Sequence, residues 1–361
     1  MQSIYAVMKL LFAPIPLYFL PIIVLLTACN TGDTRSVSPE NSNVEISNGR
    51  LAVSGEAYNI KGICWNPVAQ GYKQYDGLIF KPKSPAYSLD LVERDLGLIR
   101  DAGFNTIRTY TPITDTSVLN LIDSYGLKVI ISVCNFHKIT NEEIKATIMA
   151  LKDHPTTLLW EVGNEWNYNN FYNPNGTFDE SLARLQEIIA LIRSLDDQHL
   201  IATNYGELPS KETELALDVD LWGLNIYRTD SFDDVFEIWE GLSDKPLYIG
   251  EYGADSIDNR KGDGRYAPED QTYAVKKLTQ LIIDKYASEG RGPLVGGALF
   301  EFNDEWWKDG KGLPDEHDIG GIAPGGGPYP DREFNEEWWG IVDIDRVPRP
   351  AYYAIQELYR E

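Results

Sequence analysis

The chain has 361 residues, of which 43% are hydrophobic and 12% aromatic, so it can bury the core of one large domain or two ordinary ones. Its 55 acidic and 32 basic residues give a formal net charge of −23. Because this charge repels phosphate backbones, we expect no nucleic-acid partner, whereas a neutral substrate is compatible with it. Three cysteines are too few for the framework of a disulfide-rich domain.

The first 29 residues read as a secretory signal rather than as part of the fold. A mostly apolar stretch from Leu10 to Leu26 ends in Leu26-Thr27-Ala28-Cys29, which resembles the bacterial lipobox. We therefore expect residues 1–29 to be a lipoprotein signal peptide and Cys29 to be lipidated. The protein would be exported and anchored by its lipid to the membrane of the cell envelope, on the outer membrane or cell surface. A plain signal peptide or anchor is the alternative, since only Lys9 precedes the apolar stretch as a basic residue.

The segment after the signal predicts a linker and then a hairpin. Residues 30–43 are rich in Asn, Thr, Ser, Gly and charges, which is typical of a flexible tether. Residues 44–46 and 51–53 flank the tight-turn sequence Ser47-Asn48-Gly49, so they predict a β-hairpin, which we place at the bottom of the domain. We expect residues 44–361 to form one catalytic domain.

The rest of the chain alternates short β-rich runs with longer helical patterns, as βα units do. The eight runs are 58–64, 105–110, 128–133, 158–162, 200–204, 221–226, 247–250 and 295–302. The eight helical patterns are 88–102, 115–125, 140–152, 178–196, 211–217, 232–242, 269–289 and 350–360. This count predicts an α/β fold with a single (β/α)₈ TIM barrel. A doubly wound open sheet is disfavoured, because Cys64-Trp65-Asn66-Pro67 is unlike a phosphate-binding loop.

A long loop follows the eighth predicted strand. Residues 303–348 are rich in Gly, Trp and acidic residues and carry no periodic pattern. Loops of this length within a compact domain are usually functional, and in a barrel this one would overhang the active-site face.

Two glutamates come just past the ends of predicted strands. Glu165 follows the fourth run and Glu251 the seventh, so both are expected at the carboxyl-terminal face of the barrel. Glycoside cleavage needs such a pair, one carboxylic acid to protonate the leaving oxygen and one carboxylate to attack or to activate water. In retaining enzymes the two groups lie about 5–5.5 Å apart, and in inverting enzymes about 6.5–9.5 Å.

Gly163-Asn164-Glu165 with Glu251 in this barrel order resembles the clan of retaining (β/α)₈ glycosidases. The segment 154–165 looks most like the catalytic domain of glycoside hydrolase family 2, whereas segments 60–63, 105–110, 222–227 and 250–253 lean towards β-1,3-glucanosyltransferases. The resemblance covers roughly residues 58–302. No family 2 β-sandwich precedes the barrel, so the exo-acting specificities of that family do not follow from it. The resemblance implies that Glu165 is the general acid/base and Glu251 the nucleophile.

Three further residues receive roles from their positions and from the resemblance. Asn164 would hydrogen-bond the 2-hydroxyl of the sugar, and Tyr227 would hydrogen-bond the nucleophile. Arg108, at the end of the second run, would keep Glu251 ionised. A structural ion pair for Arg108 and simple packing for Tyr227 are the alternatives.

Three aromatic or imidazole side chains near strand ends are also candidates for sugar binding. Trp65 or Trp306 could form a stacking platform, or either could belong to the core. His137 could contact substrate hydroxyls or be structural. No His-x-x-x-His spacing or EF-hand order occurs, so we expect no metal, with a structural calcium as the alternative, and no cofactor. The Gly-x-Ser-x-Gly elbow of other hydrolases does not occur either.

These features predict a retaining hydrolase of β-linked oligo- or polysaccharides that acts by double displacement. The mixed resemblance favours a β-glucan, with transglycosylation as a further outcome. An exo-acting β-galactosidase, β-mannosidase or β-glucuronidase is one alternative. A non-catalytic glycan-binding lipoprotein is another, and a two-lobed solute-binding protein would lack the eight βα units.

Overall fold

The fold is a closed barrel of eight parallel strands. The structure is a computed structural model that describes residues 44–47, 49–287, 292–308, 311–320 and 327–360. The barrel strands are β4 (Ile60–Cys64), β5 (Thr106–Arg108), β6 (Lys128–Cys134), β7 (Thr157–Asn164), β8 (Leu200–Gly206), β9 (Leu221–Asn225), β10 (Leu247–Tyr252) and β11 (Leu294–Leu299). Each strand pairs in parallel with its neighbours in chain order, and β11 pairs with β4 to close the barrel. The predicted barrel is therefore confirmed.

Helices join consecutive strands, as the sequence predicts. They are α1 (Leu89–Asp101), α2 (Thr116–Ser124), α3 (Asn141–Leu151), α4 (Trp166–Asn169), α5 (Phe178–Leu195), α6 (Lys211–Ala216), α7 (Val235–Leu242), α8 (Pro268–Ala287) and α9 (Pro350–Arg360). Capping boxes at Thr140 and Thr177 fix the starts of α3 and α5, because each threonine side chain accepts from the third helical N–H. The single-turn α4, directly after β7, was not predicted.

The predicted N-terminal hairpin is part of a three-stranded antiparallel sheet. β1 (Val44–Ser47) and β2 (Arg50–Val53) pair as predicted, and β3 (Glu56–Ala57) adds a third strand. Val44 and Leu51 pack in one buried cluster with Ile60, Leu158 and Val295. Because these three partners lie at or near the first residues of their barrel strands, the small sheet covers the amino-terminal end of the barrel, as expected.

The predicted signal peptide, Cys29 and the tether lie outside the described residues. None of the helices in the described part of the chain is long and apolar enough to cross a membrane. Cys64 and Cys134 are both free thiols and both buried.

Buried ion pairs fasten the long loop that follows β11. Asp304 and Arg349 form a bidentate pair with both N–O distances at 2.6 Å. Arg346 forms a second bidentate pair with Asp95 of α1, at 3.0 and 3.1 Å, and the Trp65 indole donates to the same carboxylate at 3.2 Å. The loop is therefore tied at its beginning and at its end to the barrel and its helices.

We expect Arg346→Met to lower the free energy of unfolding by about 3–5 kcal/mol, because it removes the buried bidentate cation of the Asp95 carboxylate. Arg94→Met is the matched control. Arg94 contacts the same carboxylate at 3.7 Å, but its side chain is 42% exposed, against 4% for Arg346. Its loss should cost about 1 kcal/mol or less. Urea unfolding of both variants measures the difference, and equal losses would contradict the prediction.

Candidate active site

The carboxyl ends of the barrel strands surround a cavity of about 720 Å³, a size typical of small-molecule sites. Glu165 and Glu251 both line it, although they come from strands on different sides of the barrel. The other lining residues are polar or aromatic: Asn66, Gln74, Tyr110, Asn135, Phe136, Asn164, Tyr168, Tyr172, Glu207, Asn225, Tyr227, Phe300, Trp307, Lys308, Phe334 and Glu336.

Glu251, the fifth residue of β10, is held by three donors. The Arg108 guanidinium donates to Oε1 at 2.8 Å, and the Tyr110 hydroxyl donates to the same oxygen at 2.7 Å. The Tyr227 hydroxyl donates to Oε2 at 3.0 Å. Hydrogen bonds of this kind favour the charged form of a carboxyl group. The expected contacts of Arg108 and Tyr227 with Glu251 are therefore present, together with Tyr110, which the sequence analysis did not single out.

Arg108 is fully buried and bridges two carboxylates. Its Nε and Nη2 donate to Glu161 at 2.9 Å each, while its Nη1 donates to Glu251. The Tyr248 hydroxyl donates to the second Glu161 oxygen. Burial alone would lower the pKa of Arg108, but the charge of Glu161 and its other neighbours raises it well above its ordinary value. The guanidinium is therefore a permanent positive charge under Glu251.

Tyr227 stays a hydrogen-bond donor at all relevant pH values. Burial, followed by the charge of Glu251, raises the pKa of its phenol well above the ordinary value. The ring makes edge contacts with Phe334 and Trp339, at centroid distances of 5.1 and 5.3 Å. These contacts fix the direction in which the hydroxyl points.

Glu165 is the first residue after β7 and has an uncommon backbone conformation. Its φ of 49° lies in the left-handed region, where a residue with a side chain is strained. Burial, and then the negative charge of Glu251, raise the pKa of Glu165 to about 7, against a smaller opposing effect of a hydrogen bond with Asn225. The two glutamates therefore occupy different electrostatic settings on one cavity.

Three asparagines at strand ends form a linked group beside the glutamates. Asn164 Oδ1 accepts from Arg108 at 2.7 Å, from Asn204 at 2.6 Å and from Asn225 at 3.3 Å. The Asn164 amide nitrogen is thus the group left to donate to a bound hydroxyl. Asn204 needs the space beside Gly250, where a Cβ would lie 2.0 Å from its Oδ1. The glycine before Glu251 is therefore required by packing.

Three of the expected sugar-binding residues lie away from the cavity lining. Trp65 is fully buried and donates to Asp95, so it belongs to the core. Trp306 stacks on His317 at 4.9 Å and helps to anchor the loop after β11. His137 is exposed, three residues past the end of β6, and its ring contacts the backbone oxygen of Phe171. Packing in the core and loop takes up these side chains instead.

Two of the aromatic residues that line the cavity directly adjoin Trp306 and His137 in the chain. Trp307 lines it instead of Trp306, Phe136 instead of His137, and Phe300 takes the position directly after β11. Asn225 ends β9, and Tyr110 lies two residues past β5. The predicted runs 295–302 and 221–226 extended past the observed strand ends, so the strand-end rule that selected Glu165 did not select Phe300 and Asn225. Within the described ranges, no group of three or more His, Cys, Asp or Glu side chains could hold a metal ion.

If the charge of Glu251 helps to raise the pKa of Glu165, then Glu251→Gln should lower that pKa below about 7. It should fall only part of the way to its ordinary value, because burial is the larger cause. Carbon-13 NMR titration of the side-chain carboxyl of Glu165 measures this shift.

Glu207→Gln is the matched control for this titration. Glu207 also lines the cavity, but Arg228 pairs with it at 2.6 Å. Its loss should leave the pKa of Glu165 in place. A Glu165 pKa that is the same in Glu251→Gln and in the unchanged protein would show that the two carboxyl groups do not interact.

Comparison with known proteins agrees with the barrel fold. The family model of the glycosyl hydrolases family 2 TIM barrel domain matches residues 134–308. β-Glucuronidase of Mus musculus is 22% identical over 287 residues, which cover 72% of this chain and 41% of the mouse protein. A 1,3-β-glucanosyltransferase of Saccharomyces cerevisiae is 19% identical over 296 residues, 70% of this chain and 57% of the yeast protein.

A solved structure shares the fold. The crystal structure of Bacteroides uniformis β-glucuronidase superimposes with a TM-score of 0.63 at 20% sequence identity, over 88% of this chain and 37% of that one. The chain thus spans about two fifths of the length of the glucuronidases that it matches. The barrel and the matched segment therefore make this chain similar to the TIM barrel domain of the family 2 glycosyl hydrolases.

Proposed function

We propose that this protein is a retaining β-glycosidase, with Glu251 as nucleophile and Glu165 as general acid/base. The observation that carries the proposal is the unequal setting of the two carboxyl groups on one cavity. The pKa of Glu165 is raised to about 7, which suits a proton donor near neutral pH. Glu251 is paired with Arg108 and accepts from two phenols, which suits an anionic nucleophile.

The contacts support a double displacement in two steps. A Glu251 oxygen attacks the anomeric carbon while Glu165 gives its proton to the leaving oxygen, which forms a glycosyl ester on Glu251. Glu165 then takes a proton from water, whose oxygen displaces Glu251 and restores both carboxyl groups. The free amide nitrogen of Asn164 can donate to the sugar 2-hydroxyl, an interaction that strengthens in the transition state.

For the substrate, we propose a neutral β-glucan, with transfer to an acceptor sugar as a second outcome. The similarity to the yeast glucanosyltransferase supports this choice. The relatives that are glucuronidases support the second candidate, an exo-acting β-glucuronidase, galactosidase or mannosidase, at least as well. A non-catalytic glycan-binding protein is disfavoured, because the carboxyl pair, its cation and its phenols are all in place.

The charge of the cavity supports a neutral sugar rather than a uronic acid as the substrate. Among the described lining residues, Lys308 is the one lysine or arginine. Its ammonium group pairs with Glu305 at 2.5 Å and with Glu336 at 3.1 Å, so its charge is already compensated. A substrate carboxylate would have to compete with both partners in a cavity that Glu165 and Glu251 also line. A neutral sugar meets no such repulsion.

We also propose that the protein is an exported lipoprotein held at the bacterial cell envelope through Cys29. This proposal is supported by the apolar stretch before Leu26-Thr27-Ala28-Cys29.

Azide rescue should separate the roles of the two glutamates. Glu251→Ala should lose at least about 10³-fold of the activity, and azide attacking the vacated face of a β-glycoside should give the α-glycosyl azide. Glu165→Ala with an activated aryl β-glycoside should still form the glycosyl ester, so azide should give the β-glycosyl azide. Proton NMR identifies the anomer in each case. Hydrolysis by the unchanged protein that first releases the α-anomer would show inversion and would exclude Glu251 as a nucleophile.

Glu336→Gln should raise the activity ratio of β-glucuronide to β-glucoside at least about tenfold, because Lys308 loses one of its two carboxylate partners. Glu333→Gln in the same loop is the control, since the ion pairs that Lys308 forms within the described residues are with Glu305 and Glu336 and not with Glu333. The ratio comes from kcat/KM values for the 4-nitrophenyl glycosides. If the unchanged protein prefers the glucuronide, the neutral-substrate proposal is wrong and the glucuronidase candidate is favoured.

A further inference from the structure

The segment that follows the general acid/base has an unusually strained backbone. Glu165, Asn170, Phe171 and Tyr172 all have left-handed φ values, of 49°, 49°, 54° and 53°. Glycine adopts this region at no cost, whereas other residues are found there singly and under strain. Four such residues within eight positions persist only where the surrounding structure enforces them, and strain of this kind is concentrated at functional sites.

The surrounding contacts hold this segment firmly. Phe171 is 2% exposed and packs into the main core. Its carbonyl accepts from the His137 backbone N–H at 2.9 Å, and the Asn169 side chain donates to the Asn164 carbonyl at 2.7 Å. The Asn170 side chain donates to the Gly176 carbonyl at 3.0 Å. The strained conformation is therefore fixed to the core and to β7.

This fixed segment presents two tyrosines to the cavity rather than to the core. Tyr168 is 64% exposed and Tyr172 is 51% exposed, and both line the cavity. Phe136 stacks on Tyr172 at a centroid distance of 4.9 Å and an interplanar angle of 25°. The Tyr168 ring lies over Gly206, where a Cβ would be 2.1 Å from it. We call Phe136, Tyr168 and Tyr172 the aromatic shelf.

Exposed aromatic rings grouped at a cavity indicate a bound apolar surface. Sugar rings offer such a surface on the face that carries their axial C–H bonds. Tyr110, Tyr227 and Phe300 form a separate aromatic group around Glu251, with Phe300 buried in the cluster that contacts the other two. The cavity thus has one aromatic group near the proposed nucleophile and another, the shelf, next to the proposed acid.

The two tyrosines of the shelf follow Glu165 closely in the chain, and this position indicates on which side of the scissile bond the sugar on the shelf would lie. Glu165 must lie at the leaving oxygen in order to protonate it, and Tyr168 follows three residues later. The sugar beyond the leaving oxygen is therefore the one within reach of the shelf.

We propose that the aromatic shelf binds the sugar ring on the leaving-group side and so forms an acceptor site, an inference that rests on the proposed β-glycosidase activity. The substrate is then at least a disaccharide. In the second step a hydroxyl of a sugar on the shelf attacks the anomeric carbon and gives its proton to Glu165. The bond to Glu251 breaks and its carboxylate is restored, so transfer competes with hydrolysis.

A glycosyl fluoride tests this assignment, because fluoride leaves the shelf empty during the first step. The donor is the β-glycosyl fluoride of the sugar that the protein cleaves best among 4-nitrophenyl β-glycosides. The acceptors are cellobiose and laminaribiose. Tyr168→Leu and Tyr172→Leu should each lower the ratio of transfer to hydrolysis about tenfold, a size typical of one lost ring contact. They should lower kcat/KM for oligosaccharides relative to the fluoride by a similar factor.

Conservative and distant variants complete the design. Tyr172→Phe should keep most of the transfer activity, because stacking uses the ring and not the hydroxyl. Tyr353→Leu on the outer helix α9 is the matched control, since Tyr353 is 56% exposed and does not line this cavity. Its transfer ratio should equal that of the unchanged protein, and thermal unfolding checks that each variant is folded.

The outcomes separate the two proposals. Turnover of the fluoride with transfer ratios that are equal in all folded variants would overturn the shelf as an acceptor site and leave the glycosidase proposal intact. Failure of the unchanged protein to cleave any aryl glycoside or fluoride would overturn the glycosidase proposal, and the shelf inference with it.

Discussion

The buried guanidinium of Arg108 between Glu161 and Glu251 is the interaction on which the rest of the cavity depends. A full charge at the centre of a barrel is tolerated only when it is paired and hydrogen-bonded. Here one cation serves two carboxylates, and its Nη2 also donates to Asn164. A single side chain from β5 therefore contacts both the nucleophile candidate and the amide beside it.

A second constraint applies to Glu165, whose carboxyl group lines the same cavity. With Arg108 already shared, Glu165 has no cation of its own, and its pKa rises to about 7 through burial and the charge of Glu251. The two glutamates thus differ in their contact with Arg108, which pairs with Glu251 at 2.8 Å. The asparagines beside the two glutamates form directional hydrogen bonds with one another and add no charge.

The sequence predicts the barrel well, because each βα unit is a local pattern with its own period and boundaries. It also predicts Glu165, Glu251, Arg108 and Tyr227 as neighbours, since parallel strands end at one face. It leaves Trp65 and Trp306 open between sugar stacking and core packing, because strand ends fix where the backbone is and not which way the next side chain turns. A shift of one residue separates Trp306, stacked on His317, from Trp307 on the cavity wall. Glu161 was missed because a charge inside an apolar strand acquires meaning only once its partner Arg108 is known.

The eight residues from Glu165 to Tyr172 have a consequence for how such a barrel can diversify. The proton donor and the rings beside it share one short, strained segment that is pinned to β7 and to the core. An insertion or deletion in this segment would displace the proton donor together with the rings. This side of the cavity can therefore change only by substitution of single side chains. The loop after β11 is held by its own ion pairs and carries neither glutamate of the pair, so its length can change between those ion pairs without displacing the proton donor. Descendants of this barrel should therefore differ in length on one side of the cavity and in residue type on the other.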